Sequence, residues 1–285
     1  MPLSLGERVE TALVLAAGLG ERLRPLTYTT PKPLLPLGGI PLIYYPLMML
    51  KRAGVQRVVI NLHHLGSLIE QRLGSGSELG LKISYAPERE LLNTGGPLVA
   101  LREFFGDNTF WVANSDTILD FDLAAMAEFH RRNRSLATLA LRPCVNNSRY
   151  SIVETDFEGR VRRVRLRKGS IGARHVAGQL DQAASDAVYD DYPAHLRPQD
   201  SCTLRPHIFC GLTLCEPALV DFAPKQPAFG IVSDLLAPLI AGGAGIYGFQ
   251  VDGYFRTVDD LENYRAICAE FAKAAPALSY IGRSA

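Results

Sequence analysis

The 285-residue chain is 47% hydrophobic and 21% charged, the proportions of an ordinary globular α/β domain with a full core. Its formal net charge of +1 offers no global attraction to nucleic acid or to an acidic membrane, so any phosphate must be gripped by local groups. Five scattered cysteines (Cys144, Cys202, Cys210, Cys215 and Cys268) contain no Cys-x-x-Cys pair, which argues against a disulfide framework and against a zinc site. Reduced thiols are expected. The apolar run Ala12–Ala17 is too short for a signal and ends in glycine, and no stretch reaches membrane-spanning length. A cytoplasmic protein with no membrane partner follows.

Strand-like and helix-like segments alternate along the chain. Thr11–Ala16 is a continuous apolar run bounded by Gly18 and Gly20, which suits a strand buried on both faces. Pro41–Ala53 reads as a helix stopped by Gly54, Arg57–Leu62 as a strand, Ser67–Leu73 as a short helix and Leu81–Tyr85 as a strand. Gly95–Phe105 looks helical, Thr109–Ala113 extended, and Asp122 caps a helix that runs to Asn133 before the strand Leu136–Leu141. This order predicts an α/β fold with a doubly wound, mostly parallel sheet, whose ligands bind at the carboxyl ends of the strands. The Gly18–Gly20 turn and Asp116 both fall at such ends.

The second half is less regular. Tyr150–Thr155 and Arg160–Arg167 read as a hairpin turned near Gly159. Residues 169–204 have little apolar periodicity, a length usually reserved for functional or disordered loops. Order returns with a strand at Pro206–Thr213, a helix near Ile231–Ile240, a strand at Gly245–Val251 and a closing helix over Asp260–Lys273. The chain is expected to form one domain over 1–285, with one half at about 10–142 and a second at about 143–285. No hexapeptide array follows the closing helix, so no C-terminal β-helix is expected.

The most informative segment is Leu13–Thr27 followed by Pro31-Lys32-Pro33-Leu34. Glycines after a buried strand let backbone N–H groups converge on an anion. Arg22 follows closely enough to set a guanidinium on the same phosphates, and the prolines flanking Lys32 stiffen its backbone. The Gly-Lys-Ser/Thr of a Walker loop is missing, and a dinucleotide fingerprint would need glycine at Leu23.

Ala16-Ala17-Gly18-x-Gly20-x-Arg22-Leu23-x-Pro25-Leu26-Thr27, with Pro31-Lys32-Pro33-Leu34, resembles the signature of sugar-1-phosphate nucleotidyltransferases, the NDP-sugar pyrophosphorylases. The resemblance runs from Thr11 to about Ala266 and leans toward the mannose-1-phosphate guanylyltransferase branch. It implies a Rossmann-like nucleotidyltransferase fold with a smaller mixed β-hairpin portion for the sugar. It also implies Mg2+ as cofactor, and a nucleoside triphosphate and a sugar 1-phosphate as partners. Glu90-Leu-Leu-Asn-Thr94-Gly95-Gly96 is similar to the family's Glu-Pro-Leu-Gly-Thr-Ala-Gly, which lies against the base. Asn114-Ser115-Asp116 is similar to Asn-Gly-Asp, whose last aspartate holds the metal. The residues implied for nucleotide binding are Leu15, Ala16, Ala17, Gly18, Gly20, Arg22, Glu90, Thr94 and Gly95. Arg22, Lys32 and Asp116 are implied for catalysis, with Asp116 the metal ligand.

Other segments depart from the family pattern. Gly253-Tyr-Phe-Arg-Thr257-Val-Asp259-Asp260 stands where Gly-Tyr-Trp-Arg-Asp-Val-Gly-Thr is usual, so Thr257 replaces the second metal aspartate. Asp252, Asp259 and Asp260 are the candidate substitutes, Asp259 foremost, and Asp260 also reads as a helix cap. Tyr150-Ser151-Ile-Val-Glu154 resembles Tyr-Gly-Val-Val-Glu, which implies a sugar site of Asn114, Ser151 and Glu154, with serine in place of glycine. Arg163, Arg165 and Arg167 alternate with Val164 and Leu166; they read as one face of a solvated outer strand more readily than as a phosphate site. His63 and His64 have no evident third ligand and read as structural. Two alternatives stay open: a non-catalytic regulatory homologue that retains the pocket, supported by Thr257, and a nucleic-acid-binding domain resting only on Arg160–Lys168. The base, the sugar and self-association are not legible.

Overall fold

The computed structural model describes residues 8–144, 150–167, 189–191 and 203–281. The chain divides into two compact units, one of Met1–Leu91, Phe104–Ala127 and Asp252–Ala285, the other of Leu92–Glu103 and Glu128–Val251.

The first unit is built on parallel strands. β1 (Thr11–Leu15) lies between β4 (Arg57–Leu62) and β6 (Phe110–Asn114), and β5 (Lys82–Pro87) pairs with the outer edge of β4. β1 has a partner on each edge, and Ala12, Leu13 and Val14, whose side chains alternate between the two faces, are all wholly buried, so both faces are covered as well. The register sets Leu15 beside Asn61 and Asn114, so three strand ends share one rim. A short pair, β2 (Pro36–Leu37) and β3 (Ile40–Pro41), follows the proline-rich loop. Helix α1 (Tyr44–Arg52) therefore starts later than its sequence pattern suggests. α2 (Gly66–Leu73) follows β4. β7 (Thr117–Asp120) pairs antiparallel with the strand Tyr254–Thr257, bringing the end of the chain beside Asp116.

The second unit carries a mixed sheet in the order β13 (Ile246–Gln250), β8 (Ala137–Pro143), β12 (Arg205–Cys215), β9 (Ile152–Thr155), β10 (Val161–Arg167) and β11 (Tyr189–Asp191). Only β8 and β13 run parallel; the other neighbours are antiparallel. The expected hairpin is present as β9 and β10, turned through Gly159 at φ +83°. The reading of Arg163, Arg165 and Arg167 as an outer strand is corrected: β11 lies along the far edge of β10, with Arg165 opposite Asp191. The predicted loop at 169–204 falls outside the described residues apart from that strand and residues 203–204.

Two expected helices are broken. Gly95–Phe105 becomes two short pieces, Gly96–Ala100 and Arg102–Phe105, because Leu101 leaves helical geometry at φ −110°, ψ 16°. Ile231–Ile240 begins as a π-helix over Ile231–Leu236 and continues as α-helix over Ala237–Ala241. Pro238 has no N–H for the Asp234 carbonyl, so a regular α-ladder cannot run through this point.

No described helix is long and apolar enough to cross a membrane. Cys144, Cys210, Cys215 and Cys268 are free thiols, and burial pushes Cys210 up to about 12. The closing helix Leu261–Lys273 is capped by Asp260, whose Oδ1 accepts from the Asn263 N–H at 2.8 Å. Replacing a capping oxygen leaves that N–H unpaired, so Asp260→Ala is expected to lower unfolding free energy by about 1 kcal/mol in urea titration. No change would show that the cap adds nothing.

Candidate active site

The first unit carries the glycine turn, Arg22, Lys32 and Asp116. Beyond Leu15 the chain turns through Ala16–Gly20 into a 3-10 turn at Glu21–Leu23. Ala16 N–H donates to Asn61 Oδ1 at 2.8 Å, and Asn61 Nδ2 donates to Glu88 Oε1 at 2.8 Å. Asn61 is only 2% exposed, so its amide fixes the start of the turn from inside the sheet. Gly20 adopts φ +64°, and a Cβ there would lie 2.8 Å from Thr27 Cγ2. Thr27 in turn donates its hydroxyl to the Gly20 carbonyl at 2.9 Å. Gly18 differs: a Cβ there would meet no atom within 4 Å. Its backbone faces open space, as an anion-accepting turn requires.

The lower side of the loop is pinned by apolar packing. Leu23 and Leu35 sink into a cluster with Leu37, Leu42, Tyr45 and Ile118. Pro31 and Pro33 are buried on either side of Lys32, and a 3-10 turn spans Lys32–Leu34. His64 contacts the Thr27 carbonyl through Nε2 at 2.8 Å, which gives it the structural role expected.

Lys32 Nζ donates to Asp116 Oδ2 in an ion pair whose side chains are 15% and 22% exposed. Asp116 Oδ1 also accepts from the Thr117 hydroxyl at 3.2 Å, and its carbonyl accepts from Val258 N–H at 3.0 Å. The last bond places Thr257 and Asp259 on either side of a residue tied to Asp116, with Thr257 opposite Thr117 in the strand register. Asp259 N–H donates to Asn263 Oδ1 at 2.9 Å. Among the described residues no three His, Cys, Asp or Glu side chains are grouped to hold a metal. Arg22 is exposed, with no partner among the described residues, one turn beyond Gly20. Asn114 is half-buried at the end of β6, and Glu90 is exposed after β5.

The second unit holds the remaining residues. Gly95 N–H donates to the Phe229 carbonyl at 2.7 Å, and a Cβ on Gly95 would fall 2.2 Å from Phe229 Cε2. A Cβ on Gly96 would fall 2.3 Å from the Pro227 carbonyl oxygen. Thr94 Oγ1 accepts from Ile231 N–H at 2.9 Å, at the first residue of the π-helix. Both glycines are thus required by the 227–231 segment, whatever else the loop holds. Glu154 is buried and ion-paired through Oε2 with Arg163 Nε, its cross-strand neighbour. Ser151 Oγ accepts from Arg167 N–H at 3.0 Å.

Sequence reasoning missed Asn61 and Glu88. The signal available was a lone amide at the end of the apolar run Val58-Val59-Ile60, where a polar side chain needs a buried partner.

Residues 11–165 match the family model described as nucleotidyl transferase. A mannose-1-phosphate guanylyltransferase of Mycobacterium tuberculosis is 38% identical over 53% of this chain and 42% of its own length. A UTP–glucose-1-phosphate uridylyltransferase of Synechocystis is 28% identical over 87% of this chain and 59% of its own. The chain thus spans about half the length of these curated relatives. Among solved structures, a UDP-glucose pyrophosphorylase complexed with UDP-glucose superposes with a TM-score of 0.66, at 18% identity, over 93% of this chain and 99% of that one. This likeness shows the shared fold.

Removing Asn61's amide strands the Ala16 N–H, so Asn61→Ala is expected to cost about 1–3 kcal/mol in urea unfolding. Gly18→Ala, with open space around its new methyl, should leave the unfolding midpoint unchanged while weakening triphosphate binding in calorimetry. A destabilised Gly18→Ala, or an unaffected Asn61→Ala, would contradict the account of the turn.

Proposed function

The chain belongs to the nucleotidyl transferase family, and from that premise we propose that it transfers a nucleotidyl group from a nucleoside triphosphate to a sugar 1-phosphate, releasing pyrophosphate. The observation that carries the reading is the meeting of Lys32 with Asp116 at the rim where the glycine turn leaves β1. A cation on a proline-braced loop and a carboxylate at a strand end make one charge-handling centre.

The reaction needs no protein nucleophile. The sugar phosphate oxygen attacks the α-phosphorus in line, and positioning with charge neutralisation lowers the barrier. The Gly18–Gly20 amides and Arg22 hold the departing phosphates. Lys32 stabilises charge on the transferred phosphoryl group. Leu15, Ala16 and Ala17 line the entry to the turn; Glu90, Thr94 and Gly95 serve the base. In the second unit, Glu154, braced by Arg163, accepts a sugar hydroxyl, with Ser151 three residues before it in sequence.

Magnesium suits this donor set. The ion is commonly held by one or two carboxylates while phosphate oxygens and water complete its shell, and Asp116 supplies one such carboxylate. Thr257 adds a neutral oxygen only, which leaves Asp259 as the candidate second carboxylate. When bound, the ion supplies positive charge to the phosphates. The free thiols and the absence of a spanning helix among the described residues support a cytoplasmic setting. The relatives named as mannose-1-phosphate guanylyltransferases make GTP with mannose 1-phosphate the first pair to try.

The test is pyrophosphate release from a panel of nucleoside triphosphates and sugar 1-phosphates with Mg2+. At least one pair should turn over, and Lys32→Ala should cut kcat by about a hundredfold or more, the scale for loss of a transition-state charge contact. Nucleotide binding without turnover for every pair would reject transfer in favour of a non-catalytic binding role. Full activity in Lys32→Ala would remove Lys32 from the mechanism.

A further inference from the structure

The parallel strands of the first unit have a second rim, at their amino ends. Arg57 and Lys82 are the first residues of β4 and β5 and lie opposite each other in the register, next to Thr11 at the start of β1. Five residues of β1, at about 3.3 Å each, separate this rim from the glycine turn by roughly 15 Å. An open cavity of about 670 Å³ lies here, and Arg8, Lys51, Arg52, Arg57 and Lys82 all line it.

These cations have only neutral partners among the described residues. Lys51 Nζ donates to the Gly80 carbonyl, and Arg52 Nη1 to the Ser279 carbonyl. The Arg57 guanidinium lies 4.7 Å over the Phe104 ring and donates to the Phe104 carbonyl at 3.4 Å. The nearby acid, Glu10, takes the Gln56 side-chain amide at 2.8 Å. The carbonyl end of α1 explains why Lys51 and Arg52 stand where they do. It does not explain Arg8, Arg57 and Lys82, which lie outside that helix. In a chain of net charge +1, five cations around one cavity are a local excess.

The cavity is also built. The 8–10, 51–57 and 80–82 segments are stitched by backbone: Gln56 and Arg57 N–H both donate to the Glu10 carbonyl, and Lys82 N–H donates to that of Gln56. Gly54 and Gly80 both take positive φ, and a Cβ on either would come 3.2 Å from the Arg8 or Lys51 side chain. Bare backbone here leaves room for the cationic stems to lie across the floor.

We propose that this cavity is a second anion site, for a small molecule carrying two or more phosphate charges, bound away from the glycine turn. Its volume is that of a small-molecule pocket. Its three short segments offer no extended basic track of the kind a nucleic-acid strand needs. Binding there relieves repulsion among the five cations and stabilises the folded unit by mass action.

Inorganic triphosphate is the probe, measured by calorimetry without added metal. In Arg22→Ala/Lys32→Ala, which strips the glycine turn of its cations, about one equivalent should still bind. Adding Arg57→Gln and Lys82→Gln should weaken that remaining binding at least tenfold. Arg57→Gln/Lys82→Gln in the otherwise native chain should keep its pyrophosphate-release activity and its melting temperature. If loss of the Phe104 contact lowers that temperature, Lys82→Gln alone is used and should weaken binding severalfold. The proposal is overturned if Arg22→Ala/Lys32→Ala binds no triphosphate or if the quadruple variant binds it unchanged. It also falls if a single-stranded oligonucleotide binds more tightly than triphosphate at equal salt.

Discussion

The Lys32–Asp116 ion pair is the contact on which the candidate site depends. Its partners are 84 residues apart, one on a loop between buried prolines and the other just past the end of a buried strand. Charges that have lost part of their water recover that cost only against an opposite charge, so either group alone would be costly at this position. Gly20 lies beside the pair, since a Cβ on it would come 3.3 Å from Lys32 Cβ, so the end of the glycine turn and the strand rim share one locality. Val258, hydrogen-bonded to the Asp116 carbonyl, draws the end of the chain to the same point. In this state the cation and the carboxylate neutralise each other. On the function proposed above, a triphosphate and its counter-ion would compete for these two groups, so the pair would open when they bind.

The first unit was largely legible because its strands are buried on both faces. Continuous apolar runs with glycine or aspartate shortly beyond them, such as Thr11–Leu15 before Gly18 and Phe110–Asn114 before Asp116, leave few alternatives to a parallel sheet. The nucleotidyltransferase signature then named the loop residues; their pairing, Lys32 with Asp116, was not part of that reading and is seen only in the structure. Asn61 escaped notice because its role is to satisfy the backbone of Ala16, a need visible only once β1 and β4 are paired.

The second unit was harder to read. Its antiparallel neighbours come from distant segments, and local periodicity does not specify which strands meet. Gly95 and Gly96 illustrate the difficulty. The resemblance set this segment against a nucleobase, and the structure shows that Phe229 and Pro227 already demand bare backbone at both positions. Thr94 likewise serves the start of the π-helix with its hydroxyl. Glu154 keeps its expected strand but is ion-paired to Arg163, a cross-strand partner that an alternating Arg pattern could not identify. Local signals name residue types; the demands of neighbouring segments decide what those residues do.

The most direct test of the central claim is a crystal structure of the chain with a non-hydrolysable nucleoside triphosphate analogue and Mg2+. The account predicts phosphate oxygens within hydrogen-bonding distance of the Gly18–Gly20 amides and the Lys32 ammonium, and Asp116 turned from Lys32 to the ion. A nucleotide bound elsewhere, with the Lys32–Asp116 pair intact and the glycine turn vacant, would contradict it.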